Sequence, residues 1–289
     1  MHNINAQGIG EIEISKSAQI SPDFQVIFQS PGRVTVGDYC VIGPGVKFVC
    51  AGGDIKIGDW STLHDRCLVL SGKGAQIGAH CWFGQNSIID GTGGITIGRG
   101  VRVGMYSQLW SHVAAGEQIE GCTLIGERPV VLEDDVWLVG SCIVASGVTI
   151  GTRSIALIGS NITKSCGPNM VLAGSPAIVK PNLSFYREIT LAEKWRLLEV
   201  WLLDFSKTFD YKINKDSSIE EIALQTTASS SIEQIFFAKK SETAAEARSK
   251  HPGATVCCVE DKTYNKTLSK IEHQVLKFLS GNKARFNAI

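Results

Sequence analysis

The sequence predicts a mainly β protein, a parallel β-helix of about seven coils followed by a small C-terminal α/β domain. Three observations carry this. First, an aliphatic or aromatic residue recurs every six positions in groups of three: Ile14, Ile20, Val26; Val36, Ile42, Phe48; Ile57, Leu63, Val69; Ile77, Phe83, Ile89; Ile97, Val103, Leu109; Leu132, Leu138, Val144; Ile150, Ala156, Ile162. Neither an α-helix nor a flat strand has this period. A strand that turns a corner after each hexapeptide does, and three such sides close one triangular coil. Second, four residues after each anchor on the first two sides stands a small or medium residue (Ala18, Cys40, Val46, Ser61, Cys67, Cys81, Ser87, Val101, Ser107, Val136, Cys142, Ser154, Ser160), with Phe24 the bulky exception. Such residues suit the narrow interior of a prism. Third, the period ends near Lys164, and residues 184–289 carry mixed helical and strand patterns.

Along the chain, Gly37, Gly58, Gly78, Gly98 and Gly151 follow the first anchor of their coils, where freedom to bend is expected. The third side tolerates extra residues. The step from Val69 to Ile77 is eight, from Ile89 to Ile97 eight, and from Leu109 to Leu132 twenty-three. One corner therefore grows bulges and one long loop, residues 110–131, and loops leaving a rigid scaffold are where function concentrates. Residues 132–162 have no insertion and should be the most regular part. A turn follows at 166–169, then an extended segment at 171–176, and something must cover the last coil's open edge. In the remainder, Leu191, Trp195, Leu198, Trp201, Leu202 and Phe205 predict an amphipathic helix, 232–238 and 255–259 predict strands, and 268–279 a closing helix, with a Ser/Thr-rich connection at 225–231.

Lys plus Arg and Asp plus Glu each number 28, so the net charge is zero and nothing favours nucleic acid or an anionic membrane surface. No leader pattern or membrane-length apolar run is read, so a soluble, cytoplasmic protein is expected. Of nine cysteines, Cys40, Cys67, Cys81 and Cys142 occupy the inward register, no Cys-x-x-Cys pair exists, and all nine are expected reduced.

The pattern in Ile57-Gly58-Asp59-Trp60-Ser61 and Ile97-Gly98-Arg99-Gly100-Val101 resembles the hexapeptide repeat of acyltransferases built on a left-handed parallel β-helix. The resemblance covers residues 14–166 and implies left-handed winding, against the right-handed rule for ordinary crossovers. It divides the chain into an acyltransferase domain at 1–166, an extended connector at 167–183 and an appendix at 184–289.

His112 ends Leu109-Trp110-Ser111-His112 at the root of the long loop. The galactoside and maltose acetyltransferase group places its essential histidine at the start of the equivalent loop, so the resemblance implies His112 as general base. An acceptor hydroxyl is a poor nucleophile, and an imidazole can take its proton near neutral pH during attack on a thioester. His64 and His80 begin no H-x-x-x-x-H pair, and His2, His251 and His273 fall outside the repeat. The γ-class carbonic anhydrases share the fold but use several histidines as zinc ligands, so no metal is expected.

Residues 132–151 resemble the family's I-G-D-N-V-W-I-G … P-G-V-T-I-G signature, with Glu133, Val139 and Ser146 replacing Gly, Gly and Pro. The resemblance implies Trp137 beside the acyl-transfer centre. Ile158-Gly159-Ser160-Asn161-Ile162-Thr163-Lys164 and Ala173-Gly174-Ser175-Pro176-Ala177 are similar to the family's coenzyme A segment. Gly140 and Ile158 are eighteen residues apart and hence stacked on adjacent coils, about 4.8 Å apart. A pantetheine arm laid along the axis would meet the backbone there in succession, and the resemblance implies that Gly140, Ser141, Ile158 and Gly159 bind coenzyme A, with Thr163 and Lys164 toward its nucleotide end and Lys164 and Lys180 suited to the phosphates. On the acceptor side the resemblance implies Asn86 and Asp90, with Trp110 beside them.

The implied activity is acetyl-CoA-dependent O-acetylation of a sugar or glycan hydroxyl by direct transfer. The alternatives are N-acetylation of a nucleotide-linked amino sugar, or a non-catalytic assembly scaffold. The family's trimers build each coenzyme A site between neighbouring prisms, which implies a homotrimer here.

Overall fold

In the computed structural model, which describes residues 4–226 and 233–289, the anchors stack in three columns, one for each side of a triangular coil. On side one Ile14, Val36, Ile57, Ile77, Ile97, Leu132 and Ile150 are in-register parallel partners. Side two stacks Ile20, Ile42, Leu63, Phe83, Val103, Leu138 and Ala156. Side three stacks Val26, Phe48, Val69, Ile89, Leu109, Val144 and Ile162. The fold is a left-handed β-helix, and its interior is one continuous apolar cluster.

The second register fills the prism's inner corners. Cys40, Ser61, Cys67, Cys81, Ser87, Ser107, Cys142, Ser154 and Ser160 are all buried. Serine fits because its hydroxyl works twice. Ser61 Oγ donates to the Gly78 carbonyl at 2.9 Å and accepts the Cys81 amide at 3.0 Å, so a polar group is buried without an unmet partner. All nine cysteines are free thiols, and burial pushes Cys40 up to about 12 and Cys50 and Cys67 up to about 11.

The glycines after the first anchors serve close approach, not bending. A Cβ on Gly58 would stand 2.6 Å from the Ala79 amide nitrogen, and one on Gly151 2.4 Å from the Gly167 carbonyl carbon. The bend lies two residues later, where Tyr39, Trp60, His80, Asp135 and Arg153 hold left-handed backbone. Coil contact, the tighter constraint, selects glycine.

The repeat also runs past its expected end. Val171–Gly174 adds a parallel strand to side two, with Leu172 on Ala156, and Ala177–Val179 folds back antiparallel over it. Leu172 follows Ala156 by sixteen residues instead of eighteen, so a strict count misses it. The long loop is likewise structured. His112–Ala114 and Ile125–Glu127 form an antiparallel hairpin joined through a 3-10 turn at Gln118–Glu120.

Contacts divide the chain into Met1–Tyr186 and Arg187–Ile289. The second unit holds helices α1 (Leu191–Phe209), α2 (Ser241–Lys250) and α3 (Lys270–Leu279) and a six-stranded sheet. Its strands Gln234–Ala238 and Thr255–Cys258 are parallel and bridged by α2. Sequence periodicity misses α2 because it buries only Ala244 and Ala247, and it misses the hairpin of Tyr211–Asp216 with Glu221–Thr226. Of the Ser/Thr-rich connection expected at 225–231, residues 227–231 lie outside the described residues. Among the described residues no helix is long and apolar enough to cross a membrane.

Candidate functional site

The outward column on side three reads Ile27, Val49, Leu70, Asp90 on successive coils, three aliphatic side chains and then a carboxylate. Asp90 is fully buried. It is held there by five hydrogen bonds. Its Oδ1 accepts from the Thr92 amide at 3.1 Å and the Thr92 hydroxyl at 2.5 Å. Its Oδ2 accepts from the Ser111 amide at 2.8 Å, the Ser111 hydroxyl at 3.1 Å and His112 Nδ1 at 2.8 Å. Burial alone would raise the carboxyl, but the bonds from Thr92, His112 and Ser111 outweigh it and hold Asp90 below its ordinary value.

The eight-residue step between Ile89 and Ile97 supplies the bulge that carries Thr92. Gly93 within it donates its amide to Ser111 Oγ at 2.8 Å, and a Cβ there would stand 2.3 Å from the Ser111 carbonyl oxygen. That carbonyl in turn accepts from the Arg128 amide at 2.9 Å and from Ser146 Oγ at 3.1 Å. Ser111 therefore ties both feet of the hairpin arm to the coils, and His112 is the first residue of the arm. Lys73 pairs with Glu127, the residue across the hairpin from His112, at 2.9 Å.

A carboxylate that already receives four other donors can only accept from the imidazole. Nδ1 therefore carries a hydrogen, and in the neutral ring Nε2 keeps its lone pair. The imidazole is partly exposed. Trp110 crosses it edge-on with ring centroids 6.2 Å apart, and its own indole N–H donates to Gln108 at 3.0 Å.

The remaining sequence-derived residues lie elsewhere. Asn86 sits at the corner between sides two and three, with left-handed backbone, and its side-chain oxygen accepts from Arg66 Nε at 2.9 Å. Asp90 accepts from Thr92, Ser111 and the His112 imidazole, and Asn86 is not among its partners. Gly140 and Ile158 are stacked as expected, the Gly159 amide donating to the Gly140 carbonyl at 2.9 Å. Among the described residues the amides of Gly140 and Ile158 donate to no group of the chain. Ile158 is 73% exposed, Ser141 and Gly159 are exposed, and Gly140 is buried. Thr163 and Lys164 are exposed just past the side-three strand Asn161–Ile162, and Lys180 follows the returning strand Ala177–Val179. Free corner amides followed by two cations fit a polyamide arm ending in phosphates.

Trp137 stands on the outer face of side two, 42% exposed, in register with Arg102 and Ile155. A surface groove there is lined by Trp82, Arg102, Gly104, Met105, Trp137 and Val139. Side three separates Gly140 from His112. Six residues, about 20 Å of extended chain, run from Gly140 to Ser146, whose hydroxyl meets Ser111. Within one copy of the chain, side three lies between His112 and the Gly140–Ile158 corner expected to meet coenzyme A. Sequence reading passed over Thr92, Ser111, Ser146 and Arg102. The signal for the first two was available in Asp90 itself, a charge in an aliphatic column. Among the described residues no group of three or more His, Cys, Asp or Glu could hold a metal ion.

No protein-family model matches the chain. It is similar to WcaF of Escherichia coli (strain K12), named as a colanic acid biosynthesis acetyltransferase, at 32% identity over 167 residues, 58% of this chain and 67% of that protein. It is 25% identical over 150 residues to the galactoside O-acetyltransferase of Lactococcus lactis, covering 52% of this chain and 63% of that one. Among solved structures, the polysialic acid O-acetyltransferase OatWY superposes with a TM-score of 0.50 at 22% identity over 65% of this chain and 93% of its own, a likeness of fold.

Proposed function

The chain belongs to the hexapeptide-repeat acetyltransferases and is an acetyl-CoA-dependent acyltransferase, and on that basis we propose that it O-acetylates a hydroxyl of a sugar or glycan with His112 as general base. The observation that carries the base assignment is the 2.8 Å contact between His112 Nδ1 and a buried, fully engaged Asp90. Relatives named for colanic acid biosynthesis and galactoside acetylation support a carbohydrate acceptor.

In this reading His112 Nε2 takes the acceptor hydroxyl's proton as the oxygen attacks the thioester carbonyl, and returns it to the departing sulfur. The Asp90 carboxylate stabilises the imidazolium formed between those two transfers and keeps the ring in one tautomer. Asp90 is a positioning residue. Asn86, at the preceding corner, has no part in the base. Trp110 walls the imidazole and stands where an acceptor ring would rest.

Because His112 and the Gly140–Ile158 corner are separated by side three, we place the acetyl donor between two copies. His112 then comes from one, and Trp137, Gly140, Ser141, Ile158, Gly159, Thr163, Lys164 and Lys180 from its neighbour. A homotrimer supplies three such sites. The faces differ in a way that supports this: side one presents Glu13, Thr35, Lys56, Gln76 and Thr96 outward, whereas side two presents Trp82, Trp137 and Ile155 beside Arg102, and side three Leu68, Ile88 and Ile143 beside Gln108.

The test is thiol release from acetyl-CoA with a panel of sugars. His112→Ala and Trp137→Ala should each lose about a hundredfold or more in rate. Refolding the two variants together should restore part of the activity, since some sites then receive an intact His112 and an intact Trp137. Full activity of His112→Ala, or no recovery on mixing, sinks the base or the shared site respectively.

A further inference from the structure

We infer that the outward face of helix α1 is a contact between two copies of this chain, which pair antiparallel about a two-fold axis at Val200. The helix has two apolar faces. Trp195, Leu198, Leu202 and Phe205 are buried, and the Phe205 ring meets Tyr211 at 5.1 Å and Phe278 at 5.3 Å. About half a turn away, at roughly 3.6 residues per turn, Leu197, Val200 and Leu203 face solvent, 38%, 57% and 46% exposed. The other two helices of the unit show no such face. Helix α2 exposes Glu242, Ala245, Glu246, Ser249 and Lys250, and α3 exposes Lys270 and Lys277.

The order of residues says what covers this face. Reversed about Val200, its positions map onto their own complements: Leu197 onto Leu203, Arg196 onto Asp204, and Glu193 onto Lys207. In an antiparallel pair each leucine therefore meets a leucine and each charge meets its opposite. A two-fold contact demands such self-complementarity, because one patch serves on both sides. A parallel pair would instead set Arg196 on its own copy and Asp204 likewise. The row Arg196, Val200, Asp204 also follows the four-residue ridge that interdigitates in the commonest class of helix packing.

The chain does not answer these charges itself. Arg196 and Asp204 are about 12 Å apart along the axis, too far to pair with each other. The acids three residues from Arg196 are engaged elsewhere. Glu193 is held by Arg187 and by the Thr190 hydroxyl, both at 3.1 Å, and Glu199 by Lys215 at 2.6 Å. Among the described residues, the side chains of Arg196, Asp204 and Lys207 have no polar partner. An anionic membrane would ask for cations alone around the apolar stripe, and here both signs flank it. Three aliphatic groups a side make a small contact, so the pairing is reversible, with the charges fixing partner and register. It involves neither His112 nor the groups assigned to the acetyl donor, and does not rest on that reading.

The experiment is sedimentation velocity of the full-length protein from about 1 to 100 µM. At the top of this range the wild type should have twice the mass of Val200→Glu, whatever number of copies the prisms hold together. Arg196→Glu and Asp204→Arg put like charges face to face, so each should weaken the doubling about tenfold or more. The variant carrying both changes is self-complementary again and should return to within about threefold of the wild type. Such recovery can come only from a contact between copies, not from the same chain or an unrelated protein. Cysteine substitution reads the geometry. Under mild oxidation Val200→Cys should form a disulfide-linked pair beyond any seen in the wild type, and Leu197→Cys should link far less, because it faces the partner's Leu203. Thermal melting verifies that each variant folds. Equal mass for wild type and Val200→Glu, single charge variants that associate like the wild type, a double variant as weak as the singles, or equal linking at 197 and 200 overturns the inference.

Discussion

Replacing Asp90 by asparagine removes one charge without changing shape, and the hydrogen bonds around it set the cost. Oδ1 faces two donors from Thr92, and Oδ2 faces the Ser111 amide, the Ser111 hydroxyl and His112 Nδ1. An amide group must turn its NH2 toward one set or the other. If it faces Thr92, two N–H groups collide. If it faces Ser111, it opposes the Ser111 amide and donates to His112 Nδ1, which moves the ring hydrogen to Nε2 and takes away the base. A buried donor left unmatched costs about 1–3 kcal/mol, so melting should fall by several degrees. The rate constant kcat should fall about 10²–10⁴-fold, with the KM for acetyl-CoA unchanged, because Asp90 acts only through the imidazole. The decisive assay is a double-mutant cycle read by thiol release. Asp90→Asn combined with His112→Ala should be no slower than His112→Ala alone, since a positioning residue has nothing left to position. Multiplicative losses, or an effect carried mainly by acceptor KM, would show that Asp90 touches the acceptor and would refute this reading. The pH dependence has a definite sign. Asp90 is held below its ordinary value near 3.8, so its stabilising contribution is present above that value and is lost as pH falls through the lower, folded-state one. The part of the stability gap between wild type and Asp90→Asn that comes from the carboxylate should thus close only in acid, as pH falls below Asp90's ordinary value.

Gly58→Ala should lower the melting temperature by several degrees, for a cost of about 1–3 kcal/mol, because its Cβ would lie 2.6 Å from the next coil's backbone. Gly126→Ala in the hairpin arm, with nothing within 4 Å, should be near neutral, and equal melting of the two would undo the close-approach account. With iodoacetamide at pH 8 the native protein should label at most Cys122 and Cys166, the two half-buried thiols, and leave Cys40, Cys50 and Cys67 intact because their thiols are buried and pushed up to about 11 or 12. Mass spectrometry before and after denaturation reads this directly, and rapid native labelling of Cys40 would contradict the packed interior.

Much of the helix is legible in one dimension because its core repeats. Each side buries one anchor per coil against the anchor before it, so the column Ile57, Ile77, Ile97 is written as a period in the chain and needs no distant partner to be recognised. The same locality explains why His112 could be singled out, since a break in a strict count is as visible as the count. Three things depended on folding. Coil contact selected the glycines, which sequence read as bends. The partner of His112 lies twenty-two residues back, and only stacking of successive coils brings Asp90, Thr92 and Ser111 around one carboxylate. The groove on side two arises because Trp82, Arg102 and Trp137, spaced twenty and thirty-five residues apart, become neighbours through the sheet. The order of residues was enough to specify the solenoid, since a period is a local property. Which residues share a site depended on the folded coils, because the hairpin insertion changes the step between them and the register of contacts is settled only when the strands pair.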